Sequence, residues 1–182
     1  MKRENALKLL LLSNANRKVL DYLLQNPDQE LSDTEIATNI KGAKKSVVNL
    51  ALRKIADSGI TTRVPRGTMV LNRLNETPIV NHLMIVSNLI HIQPLVDKLS
   101  ASCSKIVLFG SRAKGRNILK SDYDIFVISS KEREIKKIID KSELSKQIRL
   151  IHKHPDKISI FEEDEPVLHD QIKEGIVLWE KM

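Results

Sequence analysis

One short segment constrains the chain more than any other. An apolar run, Lys105-Ile106-Val107-Leu108-Phe109, stops at Gly110-Ser111, and ten residues later Asp122-Tyr123-Asp124 leads into a second apolar run, Ile125 to Ile128. Runs of this length bounded by turn residues read as buried strands, so this part of the chain carries a sheet. Glycine permits close approach of the backbone, and Gly110 and Ser111 can therefore offer N–H and hydroxyl groups to a triphosphate. Asp122 and Asp124, two apart on one strand, point to the same face and can hold a divalent ion between them. An ion placed there bridges phosphate oxygens and offsets charge that develops during phosphoryl transfer.

The whole stretch, FGSRAKGRNILKSDYDIFVIS, resembles the signature of the DNA polymerase β nucleotidyltransferase superfamily, in particular the minimal nucleotidyltransferases: glycine-serine, ten residues, then aspartate-x-aspartate, set between two strands. The resemblance covers residues 95–182 and implies a small α/β domain with a mixed sheet, using Mg (or Mn) with an NTP. On the matching positions, Asp122 and Asp124 are the catalytic, metal-binding pair and Gly110 and Ser111 the phosphate-binding pair. Arg112, Lys114 and Arg116 are further nucleotide or partner contacts, or else a solvated loop. Active members of the superfamily carry a third carboxylate on a later strand. Here, if Gln147 to His152 is that strand the position is Arg149; if Lys157 to Phe161 is that strand it is Ser159. Neither is acidic, and Asp156, Glu162 and Glu163 fall outside the apolar alternation. An arginine facing two aspartates neutralises the pocket and competes with a second metal, so weakened or absent catalysis is expected.

The formal net charge of +7 is unevenly placed: residues 1–74 hold 13 Lys and Arg against 7 Asp and Glu, whereas residues 75–182 hold 17 against 16. A concentration of positive charge in one segment is the footprint of a polyanion binder. Within it, Ala15, Val19, Leu20, Leu23 and Leu24 predict a helix stopped at Asn26-Pro27-Asp28. Ser32 and Glu35 form a capping box opening a second helix, with Ile36, Ala37 and Ile40 inward. After the turn Lys41-Gly42-Ala43, the stripe Val48, Ala51, Leu52 and Ile55 predicts a third helix ending at Ser58-Gly59. Ile60 to Val64, the turn Pro65-Arg66-Gly67-Thr68 and Met69 to Leu71 read as a hairpin with Arg63 and Arg66 near its tip. Three helices followed by this hairpin resemble the winged-helix DNA-binding domains of small prokaryotic regulators. On that resemblance Lys44, Lys45, Ser46, Asn49 and Arg53 lie on the recognition-helix face. Lys44, Lys45 and Arg66 meet phosphates, and Asn49 and Arg53 are suited to adenine and guanine edges.

Two domains follow: an α+β winged helix with three helices and a β-wing over residues 1–74, and the nucleotidyltransferase-like α/β domain over residues 95–182. Between them residues 75–94 predict a connector helix capped by Thr77 and started by Pro78, with Pro94 interrupting or kinking the pattern before Leu95, Val96 and Leu99 resume it. Its apolar positions cover more than one face, which leaves open either a homodimer surface or intramolecular packing. No apolar run approaches the length of a membrane span, the N-terminus lacks a signal-peptide pattern, and Cys103 has no partner for a disulfide, so no membrane and a cytoplasmic location are expected. Cys103 reads as packed rather than nucleophilic, His152 and His154 as exposed strand residues rather than a metal pair, Lys131 to Lys141 as a charged amphipathic helix, and Leu168, Ile172, Ile176, Val177 and Trp179 as a closing helix and strand-like tail. The expected partners are double-stranded DNA and a nucleotide, and three functions are weighed. One is a DNA-binding regulator whose nucleotidyltransferase fold binds Mg-nucleotide; another is an active enzyme that moves an NMP from an NTP to a hydroxyl, on a protein acceptor among others; the third and weakest is a polymerase or tRNA-modifying enzyme whose basic N-terminal domain grips the substrate.

Overall fold

A computed structural model describes residues 14–181, which divide into two compact units between Ser87 and Asn88. The first unit begins with α1 (Asn14–Gln25), whose Val19, Leu20, Leu23 and Leu24 are buried. Asn26 ends it, donating its side-chain amide to the Tyr22 carbonyl at 2.7 Å. A two-residue strand, β1 (Leu31–Ser32), leads directly into α2 (Asp33–Asn39). The expected capping box is formed: the Glu35 N–H donates to Ser32 Oγ at 3.2 Å, and the Ser32 N–H donates to Glu35 Oε2 at 2.7 Å. Two of the helix's otherwise unpaired donors are thereby satisfied. α3 (Lys45–Asp57) buries Val48, Ala51, Leu52 and Ile55 and stops before Gly59, which adopts φ +79°.

The hairpin is longer and its turn tighter than the sequence suggests. β2 (Thr61–Arg66) and β3 (Met69–Leu74) pair antiparallel from Thr61↔Leu74 to Arg66↔Met69, leaving Gly67 (φ +61°) and Thr68 as a two-residue turn. Such turns require positive φ, which glycine accepts without steric cost. β1 joins β3, giving the order β1-β3-β2, so Pro65 lies on an edge strand where its missing N–H breaks no ladder bond to a further strand. Arg63 is not at the tip. It pairs with Asn72 halfway along the hairpin, and its side chain, 14% exposed, reaches Asp33 Oδ2 at 2.9 Å.

α4 (Pro78–Leu99) is one continuous helix, its start capped by Thr77 Oγ1, which accepts from the Val80 N–H at 3.3 Å. Pro94 neither ends nor divides it, contrary to the expectation of two helices. A proline removes one bond to the carbonyl four residues back, but here Ile92, Leu95, Val96 and Leu99 are all anchored in the second unit's core, and that packing outweighs the lost bond. The earlier residues Val80, Leu83 and Met84 belong to the first unit's core. Over residues 78–102 this helix is long and apolar enough, by length and composition alone, to cross a membrane, which the sequence reading denied to every segment. Its buried residues are instead core residues of the two units, and Asn81, Ser87, Asn88 and Gln93 interrupt the apolar surface.

The second unit is built on a four-stranded mixed sheet in the order β6-β5-β4-β7. β4 (Lys105–Phe109) is antiparallel to both β5 (Tyr123–Ile128) and β7 (Ile176–Glu180), while β5 is parallel to β6 (Ile148–Lys153). The apolar runs of β4 and β5 are continuous because both sheet faces are covered. Ile106, Leu108, Ile125 and Val127 pack with the second half of α4 and with Ile135 and Ile139 of α6 (Glu132–Asp140). Val107, Phe109 and Phe126 pack with Phe161 of α7 (Ile158–Asp164) and Ile172 of α8 (Pro166–Lys173). Between β4 and β5, α5 (Gly110–Ala113) is a single turn. Gly175 joins α8 to β7, where an added Cβ would stand 2.6 Å from the Leu108 carbonyl oxygen.

Candidate functional site

The fold brings the end of β4 against the start of β5: Phe109 and Asp124 are register partners, so Gly110 follows directly beside the Asp124 carboxyl. Gly110 has φ +73°, and a Cβ built on it would overlap that carboxyl. The glycine is therefore required twice over, by its backbone conformation and by the contact. Asp122 and Asp124 are not both on the strand as expected: β5 begins at Tyr123, so Asp122 lies just before it and Asp124 is its second residue, with Tyr123 buried between them. Asp122 is exposed; the Asp124 side chain is 19% exposed. Burial pushes the Asp124 pKa up, the Arg149 guanidinium opposes that and the Asp122 charge adds to it, with a net upward shift. A bound cation would favour the charged form of both carboxylates.

Strand pairing separates the two candidate positions for a third carboxylate. Ser159 lies in α7, not on a strand, whereas Arg149 lies on β6 as the register partner of Asp124. Its Nη1 stands 3.9 Å from Asp124 Oδ1, and its side chain is 73% exposed. Among the described residues no group of three or more His, Cys, Asp or Glu side chains is placed to hold a metal ion. Asp122 and Asp124 are the carboxylates that could ligate one divalent cation; a second cation, which needs a further ligand, meets a guanidinium.

Other expected contacts turn out differently. Arg112, expected to meet phosphate, points inward and is 4% exposed. Its Nε and Nη2 donate to the Ser121 carbonyl at 3.1 and 2.8 Å, its Nη1 donates to Asn88 Oδ1 at 2.8 Å, and its guanidinium covers the Tyr123 ring at 3.9 Å. Asn88, in turn, donates to the Asn117 side chain at 2.8 Å and the Arg112 carbonyl at 3.1 Å. This buried network ties the loop between Gly110-Ser111 and Asp122 to α4, and the sequence reading missed it; Asn88, polar within the apolar stretch of α4, is its trace in the sequence. Lys114 is exposed but paired with Glu174 at 2.8 Å. Arg116 is exposed, and its N–H donates to the Ser111 carbonyl at 2.9 Å.

In the first unit, Lys44, Lys45, Ser46 and Arg53 are exposed along α3 and its N-terminal flank, and Arg66 at the hairpin end is 71% exposed with Glu30 3.7 Å away. Asn49 differs. Expected to face a base edge, it donates its amide to Asp33, which also accepts from Arg63 and, at 2.8 Å, from Asn72. Among the remaining residues, Cys103 is buried with its thiol donating to the Leu99 carbonyl at 2.9 Å, and burial pushes its pKa up to about 11. His152 is not exposed as expected: its side chain is 11% exposed and Nε2 lies 2.8 Å from the Ser129 carbonyl oxygen.

No curated protein matches the chain. A crystal structure at 1.40 Å from Sulfolobus solfataricus, of a protein assigned as a nucleotidyltransferase, is similar over 58% of this chain and 92% of its own, with 17% identity and a TM-score of 0.36. The family model described as "Polymerase beta, Nucleotidyltransferase" matches residues 91–182, which is half of the chain and contains Gly110, Ser111, Asp122 and Asp124; the chain belongs to that family.

Proposed function

We propose that the protein is a DNA-binding regulator whose nucleotidyltransferase domain binds a metal-nucleotide but transfers it weakly or not at all. One observation carries the second half of this reading: the register partner of Asp124 on β6 is Arg149, an arginine at the position this reading gives to the third carboxylate. Without that carboxylate the attacking hydroxyl lacks a group to orient and deprotonate it, and the electrostatic stabilisation of the transferring phosphoryl is reduced. The residues this reading assigns to the nucleotide are all present. Gly110 and Ser111 open the single helical turn after β4 and would meet the phosphates, and Asp122 and Asp124 would hold one Mg or Mn, which would supply charge neutralisation there when bound.

The first half rests on the first unit, which we read as a winged helix. Lys44, Lys45, Ser46 and Arg53 on α3 and Arg66 on the hairpin form its basic, exposed side, suited to duplex phosphates with Arg53 available for a guanine edge. Asn49 is withdrawn from the base-reading set, because Asp33 holds it.

The test is α-labelled ATP with Mg or Mn, alone and with cell extract, beside an Asp122→Asn/Asp124→Asn double variant, together with a salt titration of duplex DNA binding. Nucleotide bound without label transfer, and DNA affinity falling steeply with salt, is the expected outcome. Label transferred by the parent and lost in the double variant would favour the alternative, an active transferase acting on a hydroxyl acceptor, which the intact glycine, serine and two aspartates support. DNA binding that ignores salt would remove the regulator reading.

A further inference from the structure

We infer that Arg149 takes the electrostatic place of a second divalent ion: with a nucleoside triphosphate the site loads one divalent cation instead of two, and Arg149 is itself a ligand of the triphosphate. This rests on the nucleotide-binding reading above and deepens it. The parallel pairing of β5 with β6 fixes Arg149 beside Asp124, so its presence in the pocket follows from backbone register as well as from a side-chain rotamer. Its guanidinium lies 3.9 Å from Asp124 Oδ1, too far for a close bidentate clamp, and the side chain is 73% exposed. Most of its five N–H donors therefore face solvent beside the carboxylate.

Two cations of the motif are committed elsewhere. Arg112 is spent on Ser121 and Asn88 in the interior, and Lys114 is paired with Glu174. Of these three, Arg149 is the one placed both beside Asp124 and open to an incoming anion.

Charge makes the same point. Two carboxylates and one guanidinium leave the pocket with a single negative charge, which one divalent ion already reverses. A second divalent ion, even with the triphosphate's own charge to attract it, would stand beside a guanidinium and would lack a third carboxylate ligand. A triphosphate oxygen, by contrast, matches the planar donor fork, which binds phosphate through two parallel hydrogen bonds.

Two measurements on the full chain test this. The first counts Mn²⁺ bound per α,β-methylene-ATP, by electron paramagnetic resonance of free Mn²⁺, in the parent, Arg149→Lys and Arg149→Asp. One ion is expected for the parent and the lysine variant, and two for the aspartate variant, which regains a carboxylate. The second measures binding of inorganic tripolyphosphate in EDTA. The parent binds it without metal, Arg149→Ala loses roughly tenfold or more, in the range for one charge-assisted contact, and Arg149→Lys retains part. Arg149 is exposed, so unchanged urea midpoints are expected and certify the fold of each variant. Two ions in the parent, or tripolyphosphate bound equally well by Arg149→Ala, overturns the inference while leaving nucleotide binding in place. Failure of every form to bind either nucleotide or tripolyphosphate overturns the nucleotide-binding reading and the inference with it.

Discussion

Replacing Asp33 with alanine should unfold the first unit more readily than any substitution on its surface. The Asp33 carboxylate, 11% exposed, is the meeting point of three elements: Asn49 from α3, Arg63 from β2 and Asn72 from β3. Removing it leaves the Arg63 guanidinium, 14% exposed, without its anion, and Arg63 Nη1 is already buried without a protein partner. Stranding one member of a buried pair costs about 3–5 kcal/mol, and because neither side chain is wholly dry we take the lower end, about 3 kcal/mol. Arg63→Met should cost less, about 2 kcal/mol, since the carboxylate keeps two amide donors. The double variant, Asp33→Ala with Arg63→Met, should be more stable than Asp33→Ala alone, because no unpaired charge remains. Urea unfolding followed by far-UV circular dichroism measures all three. Trp179, the only tryptophan, lies on β7 and reports the second unit in the same samples, where a far smaller shift is expected. An Asp33→Ala cost below about 1 kcal/mol, the size of an ordinary surface substitution, or a double variant at the sum of the singles, would refute the reasoning.

Four further outcomes are expected. Burial raises the Asp33 pKa, but the hydrogen bonds from Asn72, Arg63 and Asn49 and the Arg63 charge outweigh it, so the folded value lies below the ordinary carboxylate value. Its stabilisation is then complete above about pH 4 and lost as pH falls through that lower folded value; acid titration of Asp33→Ala should show a shallower stability loss below pH 4 than the parent. Gly110→Ala meets the Asp124 carboxyl at a φ that disfavours a side chain by about 1–2 kcal/mol, and calorimetry should find ATP–Mg affinity lost together with some stability. Arg112→Met leaves the Ser121 carbonyl and Asn88 amide oxygen without their donors, at about 1–3 kcal/mol each, and hydrogen exchange in residues 114–121 should quicken. Pro94→Ala restores a donor to an exposed position inside α4 and should raise the urea midpoint by the equivalent of about 1–3 kcal/mol; a lower midpoint would show that the proline supports the helix.

What could be read from the sequence was what local chemistry dictates. The Ser32 and Glu35 box, the stripe through Val48, Ala51, Leu52 and Ile55, and the two strands around Gly110-Ser111 and Asp122-Tyr123-Asp124 all follow from spacing within a few residues. The rest depends on partners distant in the chain. Asn49 sits on the polar face of its helix, yet its amide belongs to Asp33, sixteen residues earlier. Arg112 lies in a single helical turn, too short for periodicity to say which way a side chain points, and only Asn88 and Ser121 decide it. Arg149 needed parallel pairing of β6 with β5 to be distinguished from Ser159. Pro94 failed as a helix breaker because four core residues on the following and preceding turns hold the helix in place. β1, only two residues long, has no pattern to read.

Pro65 bears on how readily a further strand can add to the first unit's sheet. β2 is an outer strand, and its neighbours Val64 and Met69 are about half exposed, at 51% and 55%. A bare strand with apolar side chains is a template for accretion, because each free N–H invites a carbonyl from another molecule. With no hydrogen to give at Pro65, that invitation is broken next to the tip of the hairpin, and any incoming strand would lose a bond there. The hairpin's outer strand is thus a poor template for a further strand.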